Sequence, residues 1–328
     1  MKLDGLAQIA EGIYQIPLPL PFPLRIVNCY LLRDGDGWAV VDSGLNYQPG
    51  QEAWRAAFAA LGISAQSISR IILTHAHPDH YGMAGWLAAL SGAPVLLSPD
   101  EQTFAERVWG GGEPVYRAVT DFFRSHGMPE DLTVAVYEQM AALRPMIQPM
   151  AVTTALSPGV RLRIGSREFQ TILTPGHSDG HLVLYCAEER LLLCGDTVLI
   201  KITPNISLWP HGRPNPLADF LQSLERLSQL DVAVALPGHG PLIDSFGRRL
   251  NELHAHHDER LWAVERATAD GATAFAVCTA IFPTEQLSPH QIRFAMAETL
   301  AHLEYLVGIG RLERAERDSV IYRNSMTS

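Results

Sequence analysis

The sequence predicts an α/β protein in which sheets are covered by helices, and three observations carry that expectation. Short apolar runs alternate with helical patterns through "LRIVNCYLLRDGDGWAVVDSG", "QEAWRAAFAALG", "SRIILTH", "HYGMAGWLAALSG" and "APVLLSP", a β–α–β–α–β order. Polar turns, "GSRE" and "AEER", then split two further apolar stretches into hairpins. Beyond residue 246 the chain is mostly helical. A hydrophobic content of 47% and a charged content of 18% over 328 residues describe an ordinary globular chain. The length allows one large domain, or one of ~200–250 residues with a smaller companion.

Taken in order, "GIYQIPLPLPF" opens with prolines at 17, 19, 21 and 23, which are expected to form a stiff extended loop because proline cannot continue a central ladder. "DGDG" marks the turn of a hairpin whose second run ends at Asp42. A helix over 51–62 stops at glycine, and a strand, a helix and another strand follow. Residues from about 100 to 152 have helical periodicity and many methionines and aromatics. This insert is read either as a connector with a core face or as an apolar substrate wall. After the two hairpins come a helix at 216–229 and the strand "VAVALPGHG". Helices are then expected over 246–270 and 273–281. The final stretch completes an order of two helices before a glycine-punctuated basic hairpin, a winged-helix-like arrangement. The expected domains are 1–245 and 246–328, with no internal repeat of the solenoid kind.

The chemistry concentrates at strand ends. "ILTHAHPDHYG", residues 71–81, places three histidines and an aspartate within six positions behind an apolar run. His75 and His77 alternate across one residue, so both side chains are expected on one side, where two imidazoles can share an ion. Asp79 and His80 follow Pro78 on the turn into the next helix. Buried imidazoles and carboxylates cost several kcal/mol unless paired or metal-bound, so this cluster reads as a ligand set rather than as core. His177 in "ILTPGHSDGH", Asp196 in "LLLCGDTVL" and His239 in "VALPGHG" repeat the posture. Each alone reads plainly as a turn residue; together they point to a loop-borne site at one edge of the layers. The donors suit two divalent ions, zinc first, with iron or manganese as alternatives, and no cysteine holds a ligand position. His75, His77 and His177 are assigned to one ion and Asp79, His80 and His239 to the other, with Asp196 bridging. Two ions ~3.5–4 Å apart can hold a shared hydroxide and lower the pKa of water toward ~7.

HxHxDH, the later PGH, the GD and the final PGHG, in this order and with these flanking strands, resemble the metallo-beta-lactamase superfamily over roughly residues 10 to 245, with all seven ligand positions filled. The resemblance implies a four-layer αβ/βα sandwich, two mixed sheets face to face with helices outside, and a dinuclear site at the sheet edges. It also implies that Asp42, closing "AVVDSG", lies beneath the site and orients ligands rather than binding metal. Beta-lactamases of the commonest class use a cysteine where this chain has Asp196, which argues against antibiotic hydrolysis. The Asp79 position resembles hydroxyacylglutathione hydrolases, lactonases and nuclease branches, but the basic tail of the first group has no match here. "LAHLEYLVGIGRLERAERDSVIYR" is similar instead to the winged-helix appendage of the beta-lactamase-like protein 2 group, which includes polyketide thioesterases and an endoribonuclease.

The expected activity is metal-dependent hydrolysis of an ester-like acyl bond, a thioester or a lactone, in a small-molecule substrate. The bridging hydroxide attacks the carbonyl, and the second ion or a protonated Asp79 assists the leaving group. His181, four residues beyond His177, is a candidate helper or support behind the ligands, and Tyr81, Phe22 and His211 are candidate substrate contacts. The Pro-rich loop is expected to bring Leu18, Leu20 and Phe22 to the same edge as an apolar wall. The rival is a nuclease whose terminal domain binds nucleic acid. A formal charge of −10, and carboxylates interrupting the arginines of "GRLERAERDSVIYR", argue against it. A mononuclear iron oxygenase acting on persulfides would need fewer ligands than this set supplies. A plainer role for the terminal domain is a homodimer contact. Cys29, Cys186, Cys194 and Cys278 stand in apolar settings without a CxxC pair and read as buried packing in a reducing compartment. With no basic and apolar leader and no apolar stretch of membrane-spanning length, a cytoplasmic protein is expected.

Overall fold

Seven strands of the computed structural model, which describes residues 6–325, make a first sheet in chain order. They are β1 (Ala7–Ala10), β2 (Ile13–Pro19), β3 (Ile26–Asp34), β4 (Gly37–Val41), β5 (Ile68–Ile72), β6 (Val95–Leu97) and β7 (Thr153–Ala155). The strands pair antiparallel from β1 to β4 and parallel from β4 to β7. The two-residue turn Gly35-Asp36 permits the first kind of pairing, and helical crossovers supply the second. These crossovers are α1 (Gln48–Leu61), then α2 (Pro78–Tyr81) and α3 (Ala84–Ser91). Pro49 in the first turn of α1 and Gly62 at φ 64° after its last residue set both ends. The insert between β6 and β7 holds α4 (Pro99–Ala105), a wide turn at Glu106–Gly110, α5 (Glu113–Ser125) and α6 (Glu130–Leu143).

The second sheet has the order β12-β11-β10-β9-β8, from β8 (Arg161–Ile164), β9 (Arg167–Leu173), β10 (Leu182–Cys186), β11 (Leu191–Gly195) and β12 (Val234–Pro237). Its only parallel pair among the described residues, β11 with β12, is joined through α7 (Pro216–Ser228). Alternation along the strands fixes the layers. Tyr30, Leu32 and Val41 of the first sheet meet Phe169, Leu184, Leu193 and Leu236 of the second in one central core. Cys29, Leu31 and Val40 turn the other way, onto Trp54 and Phe58 of α1 and Leu87 of α3. Val183, Tyr185 and Leu192 turn onto α7 and the C-terminal helices. The result is the four-layer sandwich; Cys29, Cys186 and Cys194 lie buried within it, Cys278 lies buried in the C-terminal part, and none is bridged.

The chain then forms α8 (Phe246–Ala267), β13 (Ala272–Thr273), α9 (Ala274–Ile281), α10 (Pro289–Gly308) and a hairpin of β14 (Leu312–Glu316) and β15 (Val320–Asn324). The last three strands make a small separate sheet. A capping box, Ser288 with Gln291, starts α10. This helix packs on α6, α7 and α8. Its Met296, Leu300 and Leu303 share one core with Val136 and Met140 of the insert and Phe220 of α7.

Two local expectations are corrected. Pro17 and Pro19 lie in β2, opposite Asn28 and Ile26 of β3, rather than in a loop. β1 pairs only with the Ile13–Gln15 end of β2, so the prolines occupy a free edge where no N–H is needed. The helix expected after His80 is broken: α2 holds Asp79 and His80, and Gly82 and Met83 separate it from α3.

Candidate metal centre

The loops that follow β5, β9, β11 and β12, at one end of the two sheets, bring the expected donors together. β5 ends at Ile72, so His75 and His77 stand on the loop beyond it, and their ring nitrogens still meet, Nε2 to Nδ1, at 3.0 Å. His177 Nε2 comes within 2.9 Å of the same His77 Nδ1. Asp196 follows β11, with Oδ1 3.4 Å from His80 Nε2 and Oδ2 3.4 Å from His239 Nε2 and 3.7 Å from His177 Nε2. Asp79 Oδ2 lies 3.2 Å from His239 Nε2. Three overlapping donor groups result: His75, His77 and His177; His75, His80 and Asp196; and Asp79, His80 and His239. Gly238, before His239, has no space for a side chain, since a Cβ would collide with Asp196 Oδ1 and the His80 ring.

Divalent cations fit this arrangement on two observations. Among the described residues, His80 Nε2, Asp196 Oδ1 and His239 Nε2 are buried and have no hydrogen-bond partner, which is costly unless something binds there. The other ring nitrogen of four histidines is already engaged, the usual arrangement behind a metal-binding imidazole. His75 Nδ1 meets Thr74 Oγ1 at 2.9 Å, His80 Nδ1 meets Asp42 Oδ2 at 2.8 Å, His177 Nδ1 meets the Asn205 carbonyl at 2.9 Å, and His239 Nδ1 meets the Ile26 carbonyl at 2.7 Å. Burial and neighbouring imidazoles push His75 and His77 well below the usual histidine range, so they present neutral donors. Burial would do the same to His239, but the Asp196 and Asp79 carboxylates outweigh it and raise it to about 10. His80 is likewise raised, against burial, by Asp196 and Asp42. Without metal, protons balance these acids; a cation would displace them.

Asp42, at φ 61° in the left-handed region, lies beneath the cluster and contacts it through its neighbours. It accepts from the Thr74 amide at 2.8 Å, from Thr74 Oγ1 at 2.9 Å and from His80. Thr74 thereby links Asp42 to His75, tying both donor groups to one carboxylate.

Sequence reasoning missed a second support. Glu101 of α4, fully buried, accepts from the Ala76 amide at 2.7 Å and from the Gly180 amide at 2.8 Å. Burial raises its carboxyl to about 7 despite these bonds. Trp109 Nε1 donates to the Ala76 carbonyl at 2.8 Å. The peptide between His75 and His77 is therefore pinned on both sides by the insert. Nothing in the sequence distinguishes Glu101 from an ordinary first-turn acid of a helix.

The cluster opens into a cavity of about 940 Å³ whose lining includes His77, Asp79, His177, Asp196 and His239. Phe22 lines it and stacks on His290 at 5.2 Å, and His211 lines it from an exposed loop. Val115, Val119, Met140 and Leu143 bring the insert to the same space, while Phe123, Val136 and Met140 give it a core face. Tyr81 does not reach it: the turn of α2 directs this side chain into the core, where its hydroxyl accepts from the Ala151 amide at 3.2 Å. Leu18 and Leu20 are also core, because alternation in the proline strand turns them toward α1. His181 is buried behind the ligands. Its Nδ1 is held by Thr174 and Thr197, and its Nε2 accepts from the Asp196 amide at 3.2 Å, so it cannot touch a bound substrate.

Residues 22–239 match the Metallo-beta-lactamase superfamily, and residues 261–326 match the Metallo-beta-lactamase-like, C-terminal domain. The chain belongs to the metallo-beta-lactamase superfamily. Membership and the donor groups together make it a metal-dependent hydrolase. Within the superfamily it is 28% identical to "Probable metallo-hydrolase YqjP" of Bacillus subtilis, over 90% of this chain and 92% of that one. It is 27% identical to "Beta-lactamase-like protein 2 homolog" of Caenorhabditis elegans, over 74% of this chain and 65% of that one. The crystal structure of a metallo-beta-lactamase family protein from Thermus thermophilus aligns with a TM-score of 0.87 at 38% identity, over 97% of this chain and all of that one. A beta-lactamase domain protein from Burkholderia ambifaria aligns with a TM-score of 0.85 at 30% identity, over 97% and 94%. At that coverage the insert and the terminal module are shared parts of the fold. Among the described residues, no helix is long and apolar enough to cross a membrane.

Proposed function

We propose that this hydrolase cleaves an ester-like acyl bond, a thioester or a lactone, in a small-molecule substrate. The observation that carries the reading is the opening of the seven-donor cluster into a large cavity walled by Phe22, Val119, Met140 and Leu143. An acyl group suits such a wall better than a phosphodiester does. The chain is also 24% identical, over 71% of its length and 57% of the relative's, to "Atrochrysone carboxyl ACP thioesterase" of Aspergillus fumigatus. The proposed ligands are His75, His77 and His177 in one set and Asp79, His80 and His239 in the other, with Asp196 shared. Zinc is the proposed metal. The proposed domain division falls at residue 245.

Bound divalent cations would supply an activated water and polarise the acyl carbonyl. The chain's residues then divide the remaining tasks. The cavity's apolar wall holds the acyl group. A C–O bond forms from the water oxygen and the C–S or C–O bond to the leaving group breaks. Asp79, a carboxylate in the resting protein because His239 and His80 offset the effect of burial, takes the proton that the water loses and returns it to the leaving thiolate or alkoxide.

Metal-replete protein is to be tested on an acyl thioester, a lactone and a single-stranded RNA at matched salt. Acyl hydrolysis is expected to be fastest, and RNA cleavage outpacing it overturns the reading. His77→Ala is expected to abolish turnover and to lower the metal content found by elemental analysis. Full turnover in a metal-free variant would refute the ligand assignment.

A further inference from the structure

Near the start of α10, Arg293 lines the cavity that the metal centre opens into, although its side chain is only 7% exposed. Among the described residues its guanidinium has no hydrogen-bond or ion-pair partner, and its Nε is fully buried. Two aromatic faces flank it, Trp209 at 5.2 Å and Phe294 at 4.3 Å. Rings attract a cation but offer no acceptor to five N–H donors. The other well-buried arginines are treated differently. Arg167, Arg249 and Arg260, with side chains 12%, 11% and 20% exposed, each have a carboxylate within 4 Å, respectively Glu189, Glu252 and Glu298. Glu298, on the same helix as Arg293, is already engaged with Arg260 and with Asn205 Nδ2.

A buried cation without a partner is destabilising. Burial lowers this guanidinium to about 10, which still leaves it charged at neutral pH. Its planar fork, held between two rings, has the shape that receives a carboxylate through paired N–H bonds. One cation matches one negative charge. The two other arginines of the lining are already engaged, Arg107 with the His211 carbonyl and Arg213 with Asp219, so a doubly charged phosphate would bring excess charge into a space also lined by Asp79, Asp179 and Glu298. The surfaces beside the fork, Trp209 and Phe294, are apolar.

We propose that Arg293 receives a carboxylate carried by the acyl part of the substrate, away from the scissile bond, and so selects acidic acyl groups over neutral ones. This inference rests on the acyl-hydrolase reading and names its substrate class. Arg293 is a specificity residue that touches substrate; the metal centre is independent of it.

The test compares N-acetylcysteamine thioesters of hexanoate and of mono-adipate, together with hexanoyl phosphopantetheine, on wild type, Arg293→Gln and Arg293→Lys. Wild type is expected to favour the adipyl ester by roughly 10–100-fold in kcat/KM, the size of a charged hydrogen-bond pair. Arg293→Gln should lose that preference and leave hexanoyl turnover within about threefold, and Arg293→Lys should retain part of it. Preference for the phosphopantetheine ester, or equal loss on all esters, overturns the proposal. Calorimetric titration with adipate gives a readout free of turnover. Wild type should bind it and Arg293→Gln should bind it roughly 10-fold more weakly. If no thioester is cleaved, the acyl reading fails while the titration still decides the arginine. Undetectable adipate binding to wild type, or binding unchanged by the substitution, overturns it. The melting temperature of Arg293→Gln should rise, since an unpaired buried charge is removed. A fall would mean that the arginine serves the fold.

Discussion

At the strand ends, four of the seven donors are held from behind by their own neighbourhoods. Thr74 and Asp42 support His75 and His80, Asn205 supports His177, and Ile26 supports His239. Across the cavity wall, Arg293 and Phe294 of α10 meet Met140 of α6, two helices far apart in the chain, and Arg293 has no partner among the described residues. The first region is over-determined and self-sufficient before anything binds except the ions. The second is incomplete, and under the proposed reading a substrate carboxylate completes it. Metal affinity and substrate choice should therefore respond to different substitutions.

Asp42→Ala gives the largest expected effect in this contrast. Losing the acceptor shared by Thr74 and His80 should cost roughly 10–100-fold in metal affinity, the usual loss when a support behind a metal ligand is removed. Elemental analysis after dialysis against graded chelator measures it, and adipate binding should change far less. If both fell together, the two regions would be one. Phe294→Ala tests the other side. Loss of the ring against Arg293 should cost about 0.5–2 kcal/mol, read as a several-fold rise in KM with metal content intact. A fall in metal content instead would blur the division.

Glu298→Gln sharpens the comparison through stability rather than through metal or substrate binding. Burial raises the Glu298 carboxyl to about 7, although Arg260 and Asn205 lower it. A carboxyl raised in the folded state contributes stability that is full below its unfolded value near 4.5 and is lost as pH rises through 7. The stability of wild type relative to Glu298→Gln should therefore decline between pH 4.5 and 8, by on the order of 1–3 kcal/mol. Urea unfolding at several pH values measures this, and a flat difference would refute it.

The donor region was legible because every candidate donor sits in a short motif behind an apolar strand, where polar side chains have no packing role. Phe22 was legible from its place on the proline-rich loop. Tyr81 was not, because adjacency to a ligand says nothing about direction: within one turn of α2, His80 faces the donors and Tyr81 the core. His181 has the spacing of a helper, yet its ring ends beneath the Asp196 amide. Arg293 left only a faint trace in "PHQIRFAMAETL". His290, Phe294 and Glu298 recur there at four-residue intervals, which marks one helical face. Periodicity cannot tell a face that meets solvent from one that meets a cavity, and only packing of α10 against α6 and α7 decides it. In the terminal stretch read as basic, three arginines face carboxylates, Arg311 with Glu265, Arg314 with Glu304 and Arg323 with Glu313.

The double anchorage of Ala76 reaches beyond its own peptide. Because Glu101 grips its amide and Trp109 its carbonyl, the insert beside the cavity and the seat of two imidazoles are a single mechanical unit. Exchanging that insert would re-aim His75 and His77, so a change in what the cavity accepts must either spare these two anchors or re-tune the chemistry along with the fit.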